Sequence, residues 1–184
     1  MQPNTDRLSV EILRQCFRYD HDTGNLFWLE RPREHFLEDM THIMWNTSHA
    51  GWLVSSDITV ATTLHGRTYR LTKSHIIWAL ITGSWPKQLI DHINGVGTDN
   101  RLVNLREATY AENSQNITRF TRNTSGYVGV YKHKTKSVWF AQIGIKGRKY
   151  CVGRFNTPEE AHEAYLKAKR RLHTFQPELN LKPK

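Results

Sequence analysis

The charge of this chain changes sign between residues 117 and 118. Residues 1–117 hold 11 Lys and Arg against 13 Asp and Glu, a net of −2, and residues 118–184 hold 15 against 4, a net of +11. So sharp a break predicts a basic module joined to a near-neutral one rather than one evenly charged body. A chain of 184 residues has room for one medium domain or two small ones. Its 38% hydrophobic content, with six Trp, seven Tyr and seven Phe, predicts packed cores rather than disorder. A net of +11 suits a nucleic acid, where neutralising phosphates releases counterions. An anionic membrane fits less well, because no basic helix presents a Trp/Leu/Phe face. The longest apolar run, Ile76 to Ile81, is far too short to span a bilayer.

Two cysteines, Cys16 and Cys151, make neither a disulfide framework nor a zinc cluster. The opening Met-Gln-Pro-Asn-Thr-Asp has no charged-then-apolar signal pattern, so a soluble protein of a reducing cytosol is expected.

Leu8, Ile12, Leu13 and Cys16 recur at helical spacing and predict a helix over 8–19. Asp22-Thr23-Gly24-Asn25 signals a turn, and Leu26 to Leu29 a strand ended by Pro32. Residues 33–60 carry no clear pattern. A turn at Gly66 and a strand over 68–71 follow. Then comes a helix over 75–81, with Ser74 as its cap and Gly83 and Pro86 as its stop. Gln88 to Asp91 reads as a short strand before the turn-rich NGVGTDN.

The stretch LIDHINGVGTDNRLVNLREATYAENSQN, residues 89–116, holds one histidine and five asparagines. Asp91 and Asn113 are 22 residues apart and can meet if a strand, loop and helix return the chain on itself. A carboxylate and an amide oxygen are hard ligands, suited to Mg²⁺, Mn²⁺ or Ca²⁺ rather than zinc. Mg²⁺ uses one or two protein ligands and takes the rest from water and substrate phosphate. His92 then stays unligated, as a base near its ordinary pKa. Asn104 can accept a hydrogen bond from its other ring nitrogen and fix the tautomer. That set of groups suits phosphodiester hydrolysis.

Residues 91–116 resemble the HNH endonuclease motif of phage and intron-encoded, homing-type enzymes. The matching parts, in order, are Asp-His, a loop ending Asp-Asn-Arg, Asn-Leu-Arg, and Glu-Asn-x-x-Asn. The preceding YRLTKSHIIWALITGSWP matches the usual lead-in, so the likeness covers about 65–116. Segment 8–64 looks like the amino-terminal region of similar phage proteins. The resemblance implies His92 as the general base and Asn104 as the residue that orients it. Asn113 stands where the last histidine would be, as in the HNN variant. With Asp91 it would hold one Mg²⁺ or Mn²⁺ ion per site. Asn116, one turn further on, is a candidate support for Asn113 or a helix-end cap. Arg101 and Arg106 are candidate phosphate contacts, and His75 is read as core packing. The implied products carry a 5′-phosphate and a 3′-hydroxyl.

After a basic linker at 117–124 the pattern becomes β. Three strand-like runs follow: YVGVYKHK, VWFAQIGIK and RKYCVGRF. A helix comes next. Thr157 is its cap, Pro158 stands at the first helical position, and Glu160 completes a capping box. Ala161, Ala164, Tyr165, Ala168 and Leu172 form its apolar stripe, with Lys169 among the charged residues placed off it.

Residues 125–173 resemble the plant-type Apetala/ethylene-response-factor DNA-binding domain. The shared landmarks are Gly-Val, Trp, Ala-x-Ile, Gly-x-Phe-x-Thr and Ala-x-x-Ala-Tyr. In that family the sheet enters the major groove of double-stranded DNA. The resemblance places Tyr131, His133, Gln142 and Lys149 at base or backbone contacts and Tyr165 on phosphate. Lys132, Lys134, Lys146 and Arg154 are further phosphate candidates. Tyr131 and His133 replace family arginines, as does Gly144, and Cys151 replaces a tryptophan, so the base-reading code does not transfer.

The expected fold is α+β: a ββα-metal HNH nuclease domain within 1–116 (core 89–116, with an amino-terminal extension), then a three-stranded antiparallel sheet packed on one helix over 125–175, and a tail at 176–184. The expected function is a metal-dependent DNA endonuclease in the cytoplasm of a bacterial host, a monomer that nicks or a homodimer that cuts both strands. The alternative is a catalytically inactive, DNA-binding regulatory protein of a phage.

Overall fold

The computed structural model describes residues 7–55, 58–115, 125–135 and 137–173. Asn116, the linker at 117–124 and the tail at 176–184 lie outside the described residues. The fold is mixed α+β with small sheets. Two compact units are present, one within Met1–His92 and Val96–Glu107, the other within Ile93–Gly95 and Ala108–Lys184. No helix among the described residues is long and apolar enough to cross a membrane.

In the first unit Ser9 caps helix α1 (Val10–Cys16), its hydroxyl accepting from the Ile12 N–H. The expected helix over 8–19 is cut short. Phe17–Tyr19 is strand β1, antiparallel to β2 (Leu26–Trp28), with Phe17 opposite Trp28 and Tyr19 opposite Leu26. Pairing with the next strand of a hairpin outweighs the local helical period here.

The segment without a clear pattern contains a 3₁₀ turn (Arg33–His35) and helix α2 (Asp39–His49). Helix α2 turns polar and aromatic groups inward. The Asn46 carboxamide accepts from the Arg31 N–H and donates to its carbonyl, both at 2.9 Å. Trp45 and Phe36 each lie 4.6 Å from the Arg31 guanidinium. The helix's apolar side chains, Met40, Ile43 and Met44, face solvent.

Strands β3 (Thr59–Leu64) and β4 (Arg67–Thr72) form a hairpin that leads into helix α3 (Lys73–Thr82). The cap position belongs to Thr72, so Ser74 is not the cap but a buried residue of the first turn. Ile76 and Ile77 have no exposed surface and pack with Leu13, Cys16, Phe17, Leu26, Val54 and Val60. Each such isoleucine is worth about 1.5–3 kcal/mol by burial. Onto this core are set β5 (Leu89–His92) and its partner β6 (Leu105–Ala108).

In the second unit β7 (Val130–Lys132), β8 (Trp139–Ile145) and β9 (Arg148–Phe155) form an antiparallel sheet in the order 7-8-9. Helix α5 (Pro158–Leu172) starts where the capping residues predict: the Thr157 hydroxyl accepts from the Glu160 N–H. The Glu160 carboxylate accepts from the Asn156 N–H, one residue before the cap. Ala161 and Tyr165 pack with Val130, Ala141 and Ile143 in a small core. Lys169, placed off the stripe by sequence, is 2% exposed, whereas Leu172 is exposed. Burial pushes the Lys169 ammonium pKa down. The unit also contains the six-residue helix α4 (Tyr110–Gln115).

Candidate active site

Strand β5 ends in Asp91-His92. Neighbouring strand side chains point to opposite faces, so the pair divides. Asp91 is 5% exposed, whereas His92 is half-buried. Strand β6 brings Arg106 against Asp91. Its Nε and Nη2 both donate to Asp91 Oδ2, at 2.9 and 2.8 Å. The carboxylate thus has a fixed, charge-assisted partner.

The loop between the two strands is tied at several points. Asp99 accepts from Arg101 through both oxygens, at 2.8 and 2.7 Å, which holds the arginine pKa above its ordinary value. Asn104 sits in a 3₁₀ turn (Leu102–Asn104), is buried, and donates from Nδ2 to the Asp99 carbonyl at 2.7 Å. The next residue, Asn100, is also buried, and its Oδ1 lies 3.0 Å from His92 Nε2. An amide oxygen only accepts, so this bond puts a proton on Nε2 and, in the neutral ring, a lone pair on Nδ1.

The sequence reading placed Asn100 in the turn and gave the ring contact to Asn104. The carboxamide bonded to His92 Nε2 is that of Asn100. Asn104 braces the loop one residue earlier, through its bond to the Asp99 carbonyl. Arg101 and Arg106, read as phosphate contacts, direct their guanidinium groups to Asp99 and Asp91. His75 is half-buried, and burial lowers its pKa.

Asn113 lies on α4, in the second unit. A capping box starts that helix: Glu112 Oε2 accepts from the Thr109 N–H and hydroxyl, at 2.8 and 2.7 Å. Thr-x-x-Glu at 109–112 is legible in the sequence.

Among the described residues no group of three His, Cys, Asp or Glu is placed to hold a metal ion. A protein-rich zinc or calcium cage therefore does not fit these residues. The buried Asp91 carboxylate is a hard ligand of the kind taken by a divalent ion that uses few protein ligands.

One sequence-remote residue also reaches this loop. The Tyr19 hydroxyl lies 3.1 Å from the Asn100 carbonyl, to which it donates, and accepts from the Leu102 N–H at 3.0 Å. A partner some eighty residues away leaves no local signal, and Tyr19 was read only as the end of a helix.

The second unit presents a different surface. Ala141 and Ile143 take the helix side of β8, so Phe140, Gln142 and Gly144 face outward. Their cross-strand neighbours Tyr131, Arg154, Cys151 and Lys149 share that face. Tyr131 and Phe140 stack at 5.4 Å, with the His133 ring 5.8 Å from Phe140. Lys132 falls on the opposite parity, its ammonium 5.6 Å over the Trp139 ring. Lys134 and Lys146 lie in the connections beside the strands. Tyr165, read as a phosphate contact, is 6% exposed, and its ring packs in the core against Gly129.

Residues 72–115 match a family model described as HNH endonuclease. Over 84 residues the chain is 34% identical to protein 3.8 of Escherichia phage T7, a span of 45% of this chain and 69% of that protein. No solved structure matches.

Proposed function

Because the chain belongs to the family of Escherichia phage T7 protein 3.8 and carries an HNH endonuclease domain across residues 72–115, we propose that it is a divalent-metal-dependent DNA endonuclease of the HNN type. Its nuclease core has the ββα-metal arrangement, and a carboxy-terminal Apetala-type module delivers it to double-stranded DNA. The observation that carries this reading is the state of His92: a histidine at the end of β5, its Nε2 bonded to Asn100, beside a buried carboxylate bonded to Arg106.

His92, neutral with its proton on Nε2, uses the Nδ1 lone pair to take a proton from the attacking water. Asn100 holds the ring in that tautomer, and Asn104 holds the loop that carries Asn100. Asp91 and Asn113 are the proposed ligands of one Mg²⁺ or Mn²⁺ ion, which would stabilise charge on the phosphate and on the leaving 3′ oxygen. Arg106 fixes the Asp91 carboxylate on one oxygen. The products are a 5′-phosphate and a 3′-hydroxyl.

The second unit supplies affinity for DNA. Tyr131, His133, Gln142, Lys149 and Arg154 line or flank its open sheet face, and Lys132, Lys134 and Lys146 lie at its margins. The near-neutral part before residue 118 has little attraction for DNA of its own.

The test is cleavage of supercoiled plasmid with Mg²⁺ or Mn²⁺, beside His92→Ala. The wild type is expected to nick or cut, and the variant to lose about 10²–10⁴-fold. A wild type inert in every divalent metal would leave a DNA-binding regulator as the reading. An equally active variant would remove His92 as the base.

A further inference from the structure

The β1–β2 hairpin lies far from the motif in sequence and against it in space. In the strand pair next to its turn is Tyr19, opposite Leu26, whose hydroxyl brackets the loop by donating to the Asn100 carbonyl and accepting from the Leu102 N–H. At its tip is Gly24, with φ +74°. A Cβ at Gly24 would lie 2.6 Å from the Arg101 nitrogen and 2.8 Å from the Asn100 carbonyl carbon. Those are backbone atoms, so nothing there can rotate aside. The hairpin therefore touches the backbone of residues 100–102 at two points, and only a glycine allows the second.

The residue so held is the one whose Oδ1 lies 3.0 Å from His92 Nε2. Its Nδ2 lies 3.5 Å from the Thr98 carbonyl, a weak tie. Rotation about its own bonds therefore does not fix where the Asn100 amide sits. The backbone position does, and three contacts set it: Asn104 on the Asp99 carbonyl, Tyr19 on Asn100 and Leu102, and Gly24 against Asn100–Arg101.

We propose that the amino-terminal hairpin is part of the catalytic apparatus, with Tyr19 and Gly24 as positioning residues that hold Asn100 in its bond to His92. They touch no reacting atom. Their effect is to keep one ring nitrogen protonated and the other a base. The inference rests on His92 as the base, but its first readout does not need activity.

The experiment uses the full chain and Tyr19→Phe, which keeps the ring and deletes both hydrogen bonds. Nitrogen-15 spectra of the histidine rings, with His92 assigned by its loss in His92→Ala, report the tautomer directly. The wild type should show His92 mainly as the Nε2–H tautomer. In Tyr19→Phe, as in Asn100→Ala, the ring should become a tautomer mixture. Plasmid cleavage should fall about 10- to 100-fold in kcat with KM little changed. Val60→Ala, in the same core, is the control. It lowers stability and should leave the tautomer and kcat where they are.

An unchanged His92 tautomer in Tyr19→Phe overturns the proposal, as does an equal change in Val60→Ala. Gly24→Ala should reproduce the Tyr19→Phe spectrum where it folds. A wild type that does not cleave while the ring responds to Tyr19→Phe overturns the endonuclease reading and leaves the hairpin's hold on His92 standing.

Discussion

In the first unit Arg31 and Arg106 have their guanidinium groups set against protein. Arg31 lies between Phe36 and Trp45 and donates to the Thr63 carbonyl at 2.6 Å, and Arg106 grips Asp91. In the second unit Lys149 and Arg154 stand on an open sheet face, and neither pairs with a carboxylate among the described residues. Charge that is held by protein fixes geometry, and its loss is felt by the fold and the site together. Charge that faces water leaves the fold almost indifferent and is available to a polyanion. The two units should therefore fail in different ways when single groups are changed.

The largest effect is expected from the core that supports the open face. Gly129 has φ +74°, and a Cβ there would lie 2.2 Å from Tyr165 Cδ2. Gly129→Ala combines a left-handed backbone with overpacking, and should cost about 4 kcal/mol. Calorimetry of the full chain should show the second unit's transition lost or lowered, DNA binding lost with it, and the first unit's transition kept. If both transitions move together, the comparison between independent units breaks.

Arg106→Gln should cost about 3 kcal/mol in the first unit, because it leaves the buried Asp91 carboxylate without its charged partner. Denaturant unfolding measures this, and Asp91→Asn in the same background should recover part of the loss. A cost below about 0.5 kcal/mol would place the pair with exposed ion pairs, which are worth little.

A third effect depends on pH. Cys16 has no exposed surface, and burial pushes its thiol up to about 11 from 9.0. The folded state disfavours the thiolate, so above pH 9 the unfolded chain gives up its proton first. First-unit stability should fall as pH rises from about 9 to about 11, by about 2–3 kcal/mol relative to Cys16→Ala. The difference between the two proteins removes the contributions of other groups that titrate there. Identical pH curves would contradict the burial of Cys16. The exposed Cys151 should react with thiol reagents at pH 8 while Cys16 does not.

What the sequence made legible follows how local each interaction is. Helix α5 was readable because its cap, its first-position proline and its stripe lie within one window. The Asp91-His92 site was readable as ordered residue types along 28 positions. Helix α2 was not, because its half-buried side is His42, Trp45 and Asn46 around Arg31 while its methionines face water, which reverses the usual pattern. Asn100 and Asn104 are both asparagines of one loop, and only coordinates separate the one that bonds the ring from the one that braces the backbone. Tyr165 fits a family landmark and is held in the core instead. Tyr19 acts across eighty residues, where no spacing rule reaches.

The smallest effect per residue is expected on the open face, where it also says the most about function. Lys149→Ala and Arg154→Ala remove outward charges and should change stability by no more than about 0.5 kcal/mol. If each neutralises one phosphate, each should weaken DNA binding about equally across sequences and reduce the slope of log affinity against log salt by about 1. The double variant should reduce it by about 2, because separate phosphates release counterions independently. His92→Ala should leave that slope unchanged, since it alters the reaction and no charge on the sheet. A variant that keeps the slope but loses preference between sequences would instead mark its residue as reading a base edge, which is how Gln142, a neutral side chain on the same face, should behave when changed to Ala.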